Sequence, residues 1–193
     1  MLPVATPEEM AAIDAASTES YDVLVGRAGA AVASAAIDML GGADGRRVVV
    51  VAGAGSNGAD GRVAGDRLQD LGVQVLVLDA GAATAELPAA DLVVDAAYGT
   101  GLSRPYAAPA TDSPVLAVDL PSGIDGLTGC ELGSPVTAER TVTFAALKPG
   151  HLLGQGPEHC GEVSVVDIGL DVSMVGAALV EPSDVVALVP ARP

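Results

Sequence analysis

VVVVAGAGSNGADG, residues 48–61, reads as a buried strand that breaks into a glycine loop and opens a helix. Gly53, Gly55 and Gly58 fit the GxGxxG fingerprint of dinucleotide-binding folds. That fingerprint wants an acid about 20 residues on, and Asp79 stands there, closing the apolar run VQVLVLD. Two side chains in the loop lie outside the pattern. Asn57 and Asp60 place an amide and a carboxylate where bare backbone N–H groups would meet an anionic pyrophosphate. Both residue types also favour helix caps, so a cap on a helix beginning near residue 61 is an open alternative for each.

The chain has 193 residues, half of them hydrophobic, which suits one domain over residues 1–193 with a sizeable core. Twenty-five acids against nine bases give a net charge of −16, and no block of Lys or Arg interrupts it. A phosphate-backbone partner would be repelled over most of such a surface, which excludes nucleic acid as the expected ligand. The start, MLPVATPEEM, lacks the basic and apolar regions of a signal peptide, and the longest apolar helix candidate, residues 23–40, is interrupted by Arg27 and Asp38. The expectation is a soluble protein with no membrane partner. Cys130 and Cys160 lie too far apart for a CxxC site and are too few for a disulfide framework, which fits a reducing cytoplasm.

Thr6-Pro7-Glu8-Glu9 has the form of a capping box with proline at the first helical position, predicting a first helix. A second is expected over about residues 22–40, with Gly26, Ala28, Gly29, Ala31 and Ala35 leaving a smooth surface for close packing or a dimer contact. Thereafter the pattern alternates: strand 48–52, helix 61–71 stopped by Gly72, strands 73–79 and 91–97. Further strands are expected at 115–120, 141–145, 162–168 and 178–180, then a helix capped by Ser183 and a linker-like tail, VPARP. The proline-broken stretch 81–90 is too short for a full crossover helix. Strands that are apolar throughout imply a parallel sheet covered on both faces, hence an α/β fold.

In open α/β sheets ligands bind outside the carboxyl ends of the strands, and polar loops mark three such ends: AGAGSNGAD, DAAYGTGLSRP and DLPSGIDG. Asp95 lies within the apolar run LVVDAA, where a carboxylate needs a cation or several donors. Asp119 ends VLAVDL, and Pro121 stiffens the turn to Ser122, although an ordinary strand-end turn would use the same residues. Asn57, Asp95 and Ser122 make an all-oxygen set suited to a hard cation, and one carboxylate in three admits a monovalent ion. Lys148, within ALKPG, is the chain's only lysine and follows a strand that would bring it to the edge of the site. His151 and His159 have no partners at metal spacing and read as structural or solvent-facing.

AGAGSNGADG, VVDAAYGTGLSRP, VLAVDLPSGIDGLTG and TVTFAALKPGHLLGQGPEHCGEVSVVDIGL stand in an order and wording that resemble the NAD(P)H-hydrate epimerases, the YjeF N-terminal domain. The resemblance spans nearly the whole chain and includes LVGRAGAAVA in the second helix. It implies a Rossmann-like three-layer αβα sandwich, often a homodimer, that interconverts the R and S epimers of NADHX and NADPHX, cofactors hydrated at C6 of the nicotinamide ring. It also implies one potassium ion per subunit, held by Asn57, Asp95 and Ser122. Substrate contacts would fall on Ser56, Asn57, Gly58, Ala59 and Asp60, on Gly99, Thr100, Gly101, Leu102, Ser103, Arg104 and Pro105, and on Asp119. Asp119 would be the acid/base, with Lys148 a second catalytic or phosphate-facing group.

Departures from the family pattern are Ser56 for the first Asn of NNGGD, Ala59 for a Gly, and a short stretch before Asp95. Bacterial relatives fuse this domain to an ADP-dependent NAD(P)HX dehydratase, and VPARP resembles the start of that junction. Two rival classes are an NAD-binding oxidoreductase, resting on the glycine loop and Asp79, and a non-catalytic scaffold of the same fold. The presence of both Asp95 and Asp119 argues against the scaffold.

Overall fold

Residues 1–188 are described by the structure, a computed structural model. The chain begins with β1 (Leu2–Val4), α1 (Pro7–Ala16), α2 (Tyr21–Leu40), β2 (Arg47–Ala52), α3 (Ser56–Asp70), β3 (Gln74–Asp79) and β4 (Leu92–Ala96). It continues through β5 (Tyr106–Ala107), β6 (Val115–Val118), β7 (Gly133–Ser134), β8 (Arg140–Phe144), a 3-10 turn (Pro149–His151) and α4 (Gly156–Cys160). β9 (Glu162–Val166), β10 (Ala177–Leu179) and α5 (Pro182–Leu188) complete it.

Six strands pair, all parallel, in the order β3-β2-β4-β6-β8-β9. Successive side chains of a strand face opposite sides, and in β2, β4, β6 and β8 both sides are dry. Val48, Val50, Leu92, Val94, Leu116 and Val118 pack beneath α1, α2 and α3, while Val49, Val51, Val93, Val115 and Ala117 fill the other face. This is the reason the strands read as unbroken apolar runs. Leu87 and Val136 from loops and Tyr106 of β5 cover the second face, together with the short α4, whose Cys160 carbonyl accepts a 2.7 Å bond from Thr141 Oγ1. The mixed α/β architecture with a parallel sheet between two layers agrees with expectation, and the second layer is mostly loop.

The Thr6 capping box forms in full: Thr6 Oγ1 accepts from Glu9 N–H, and Glu9 Oε2 accepts from Thr6 N–H. α2 has the length and hydropathy of a membrane span, yet Ala28, Val32, Ala36 and Leu40 are buried in the core beneath it. The connection from β3 to β4 carries no helix, as its length and proline predict.

Several boundaries differ from expectation for local reasons. α3 begins at Ser56 rather than near 61, with Gly55 as its cap, so Asn57 and Asp60 lie inside the helix and cap nothing. β6 stops at Val118 and β8 at Phe144 because Asp119 (φ 66°) and Ala145 (φ 61°) turn the chain into the left-handed region. β9 ends at Val166, two residues earlier than expected. The last strand leaves the main sheet and pairs antiparallel with β1, an N-terminal strand with no sequence signal. Ser183 is inside α5, not its cap, because the helix starts at Pro182. The expectation of cover on both faces fails at β3, which ends the strand order: Leu76, on the face that no helix covers, is 46% exposed, and Val77, on the α3 side, is 38% exposed. The VPARP tail lies outside the described residues.

The chain leaves β2 for β3 on one side and then returns to β4 on the other, so the loops after β2 and β4 diverge and open a crevice. Glycine permits the tight approach there: a Cβ at Gly53 would overlap the Ala97 carbonyl, and one at Gly58 would overlap the Gly53 carbonyl. Gly55 has open space around it. Gly53→Ala is therefore expected to cost about 2–3 kcal/mol by overpacking, and Gly55→Ala under about 1 kcal/mol as a cap change. Urea unfolding of the two variants checks the difference.

Candidate active site

A cavity of about 530 Å³ opens at the carboxyl ends of β2, β4, β6 and β8, within the size range of small-molecule sites. Its walls include Ser56, Asn57 and Asp60 of α3, the stretch from Gly99 to Leu102, and Asp119 and Lys148. Met10 and Asp14 of α1, Glu19 from the link between α1 and α2, and Tyr21 and Leu24 from the start of α2 complete the mouth. Of the sequence candidates, Gly58, Ala59, Ser103, Arg104 and Pro105 do not line it. Gly58 is spent on the contact with Gly53, and Arg104 reaches the Tyr98 hydroxyl at 3.1 Å with its guanidinium over the Tyr98 ring.

Asp119 and Lys148 form the centre. Lys148 is 2% exposed, and its Nζ donates to Asp119 Oδ1 at 2.6 Å, Thr143 Oγ1 at 2.7 Å and the Phe144 carbonyl at 3.2 Å. Three acceptors require the three hydrogens of an ammonium. Thr143 Oγ1 passes its own hydrogen to Asp119 Oδ1 at 3.0 Å, and Thr100 N–H reaches Oδ2 at 3.4 Å. Burial pushes the Asp119 carboxyl upward, but the Lys148 charge and these bonds outweigh it and hold the group below the ordinary carboxylate range. A buried carboxylate is thus kept ionised at the cavity wall.

His151 locks the frame. Its Nδ1 accepts from the Lys148 backbone N–H at 2.9 Å, which leaves the hydrogen on Nε2 to donate to the Asp119 carbonyl at 2.8 Å. Burial pulls its pKa down to about 4, so the ring is neutral and structural. The left-handed backbone of Asp119 is held from this side. His159 bonds Glu131 and Thr137 away from the cavity.

Asp95 and Ser122 meet directly: Ser122 N–H donates to Asp95 Oδ2 at 2.8 Å and Ser122 Oγ to Oδ1 at 2.7 Å, with Ala97 N–H adding a 3.3 Å bond. Both are buried behind the cavity wall. Burial raises the Asp95 carboxyl to about 6 against these donors. Asn57 bonds to neither; its Oδ1 and Nδ2 are buried with no hydrogen-bond partner. It packs against Gly99, where a Cβ would sit 2.8 Å from Asp119 Oδ2 and 3.4 Å from Asn57 Oδ1. Only glycine lets these two side chains close on the segment that joins them.

Asp79 faces elsewhere. Its Oδ1 takes a 2.6 Å bond from Arg62, whose other nitrogen holds the Gly53 carbonyl, and it does not line the cavity. The ribose-binding role that a dinucleotide fold would give it has no support in this geometry. Asp14, Thr143 and the clamp made by His151 were missed from sequence. Asp14 shares a helix with ordinary surface acids, and nothing in the spacing marks it.

Removing the cation strands the anion. Lys148→Met is expected to lose about 3–5 kcal/mol at pH 7, the cost of an uncompensated buried charge. The wild-type pair contributes above the ordinary Asp pKa and is lost as pH falls through the lowered one, whereas the variant's Asp119 takes up a proton at higher pH. The difference between the two proteins should therefore be smaller at pH 5 than at pH 8 in urea titrations.

The family model described as YjeF-related protein N-terminus matches residues 21–87 and 79–150. A protein of Limosilactobacillus fermentum named NAD(P)H-hydrate epimerase is 35% identical, aligned over 75% of this chain and 85% of its own length. The bifunctional NAD(P)H-hydrate repair enzyme of Thermofilum pendens is 34% identical over 98% of this chain and 45% of its own, and that of Mycobacterium leprae 39% over 87% and 41%. The chain thus spans less than half the length of these bifunctional relatives. A crystal structure of the yeast protein YNL200c superposes with a TM-score of 0.64 at 20% identity, covering 86% of this chain and 88% of that one, and supports the fold. By the family match and these identities, the chain belongs to the family of YjeF-related protein N-termini.

Proposed function

We propose that this protein epimerises NADHX and NADPHX at C6 of the hydrated nicotinamide ring. The observation that carries the reading is the ionised, buried Asp119 on the wall of a strand-end cavity, in a chain 35% identical to a protein named NAD(P)H-hydrate epimerase. Inverting C6 breaks and re-forms the C6–O bond with a proton transfer at each step, and Asp119 is poised to take the proton as base. Lys148 holds Asp119 ionised and oriented, through a bond that also fixes Thr143. Backbone N–H groups at the start of α3 and in the segment from Gly99 to Leu102 are suited to the substrate's phosphates. Ser56 offers one hydroxyl where the family pattern has an amide, so one polar contact is weaker or water-filled.

A potassium ion, one per subunit, would be held by Asn57, Asp95 and Ser122. Support comes from the buried carboxamide of Asn57, which lacks a partner, and from the all-oxygen donor set. When bound, the ion supplies a fixed positive charge that orders the strand-end loops. The reading extends to a homodimer in the cytoplasm, where the free thiols Cys130 and Cys160 fit a reducing milieu. It also extends to a dehydratase, fused or separate, that consumes one epimer, in keeping with the bifunctional relatives.

The direct test supplies R-NADHX with an S-specific dehydratase and ATP or ADP. This protein should speed consumption of the R form, and a rate no faster than spontaneous epimerisation refutes the reading. Asp119→Asn should lower kcat by at least about 100-fold per folded molecule, with the folded fraction read by circular dichroism because the change leaves Lys148 unpaired. Exchanging potassium for tetramethylammonium should lower both the thermal midpoint and the rate. An unchanged midpoint and rate would remove the ion from the site.

A further inference from the structure

The cavity holds a carboxyl that the base chemistry of Asp119 does not use. Asp60 lies in the second turn of α3, 8% exposed, and no hydrogen bond supports its side chain among the described residues. Gly61 fixes that turn, since a Cβ there would overlap Ala96 Cβ in the sheet beneath. The charges acting on Asp60 are negative, Asp119 at the end of β6 and Asp14 from α1 at the rim, while Glu19 at the mouth is paired with Arg27 at 3.0 Å and Tyr21 is neutral. Lys148 is committed to Asp119, and Arg62 on the same helix is turned to Gly53 and Asp79. The helix dipole favours an anion only in the first turn. A carboxylate at this position would have no protein donor and no basic side chain of its own among the described residues, so Asp60 keeps its proton at neutral pH. Burial first, then the charges of Asp119 and Asp14, push it up to about 8.

Two carboxyl groups in one cavity therefore rest in opposite states, Asp119 ionised and Asp60 neutral, an arrangement that separates an acid from a base. We infer that Asp60 is the general acid of the epimerisation, paired with Asp119 as the base, an assignment that rests on the epimerase reading above. Asp60 gives its proton to the C6 hydroxyl; the C6–O bond breaks, water leaves, and the ring nitrogen's lone pair forms the C6=N1 iminium. Water then adds to the opposite face of C6, its proton goes to Asp119, and the electron pair returns to nitrogen. The cycle ends with Asp60 ionised and Asp119 protonated, which is the form required to run the reverse epimerisation with the roles exchanged. No oxidant, reductant or second substrate enters the balance.

Asp60→Asn tests this, because it keeps the shape and removes the proton donor. Its kcat for interconversion of purified R- and S-NADHX should fall at least about 100-fold with KM within a few-fold. Wild-type kcat/KM should decline above pH about 8, and that limb should be absent from the residual activity of the variant. The wild type should also show the infrared carbonyl band of a protonated carboxyl at pH 7 that the variant lacks. Because the folded-state pKa is raised, the stability that Asp60 contributes is lost as pH rises from about 4 to about 8, and the variant's thermal midpoint at pH 8 should equal or exceed that of the wild type. An unchanged kcat, a raised KM alone, a missing infrared band or a lowered midpoint at pH 8 each overturns the assignment while leaving the epimerase reading in place. A wild type that does not epimerise NADHX removes both.

Discussion

One buried ammonium organises the catalytic end of this molecule. Lys148 is enclosed so fully that its three hydrogens must all find acceptors within the protein, and they find Asp119, Thr143 and the Phe144 carbonyl. That demand places the end of β6 against the end of β8 and explains why both strands terminate in left-handed residues, Asp119 and Ala145. His151 closes the same loop through the backbone, bonding the Lys148 N–H on one side and the Asp119 carbonyl on the other. A side chain that the sequence presents as a lone lysine thus sets the conformation of two strand ends and the charge of the group between them.

The glycine loop that dominates the sequence has a mechanical task as well as a chemical one. Gly53 and Gly58 let the start of α3 settle onto the ends of β2 and β4, and Gly99 lets Asn57 and Asp119 converge. A dinucleotide fold uses similar glycines to bring a helix terminus to a pyrophosphate. Here the close approach brings an amide and carboxylates to the crevice, which is why the fingerprint alone misdirects and its side chains do not.

Much of the architecture was legible because it depends on local rules. The apolar runs, the Thr6-Pro7-Glu8-Glu9 box and the shortness of residues 81–90 each gave the right element or its absence. Positions decided by distant contacts were not legible. β1 forms only because β10 returns to it, with no periodicity of its own. α3 starts five residues early because its first turn is paid for by packing on glycine, which no cap residue advertises. At the site, the loop ends named Asn57, Asp95, Asp119 and Ser122 as chemically unusual, whereas the neutrality of Asp60 and the service of Thr143 and His151 depend on Asp119, which lies 24 or more residues from each.

The strand order leaves Gln74–Asp79 as an edge, with Leu76 and Val77 partly open to water and no helix in the connection that follows to cover the Leu76 face. An unpaired apolar edge is a template on which another chain can add a strand. A protein carrying a net charge of −16 meets its own copies through long-range repulsion, and the reach of that repulsion shrinks from about 30 Å at 0.01 M salt to about 10 Å at 0.1 M. The colloidal behaviour of the chain is thereby tied to ionic strength: the acidic surface that turns away nucleic acid is also what shields the sheet from extending itself.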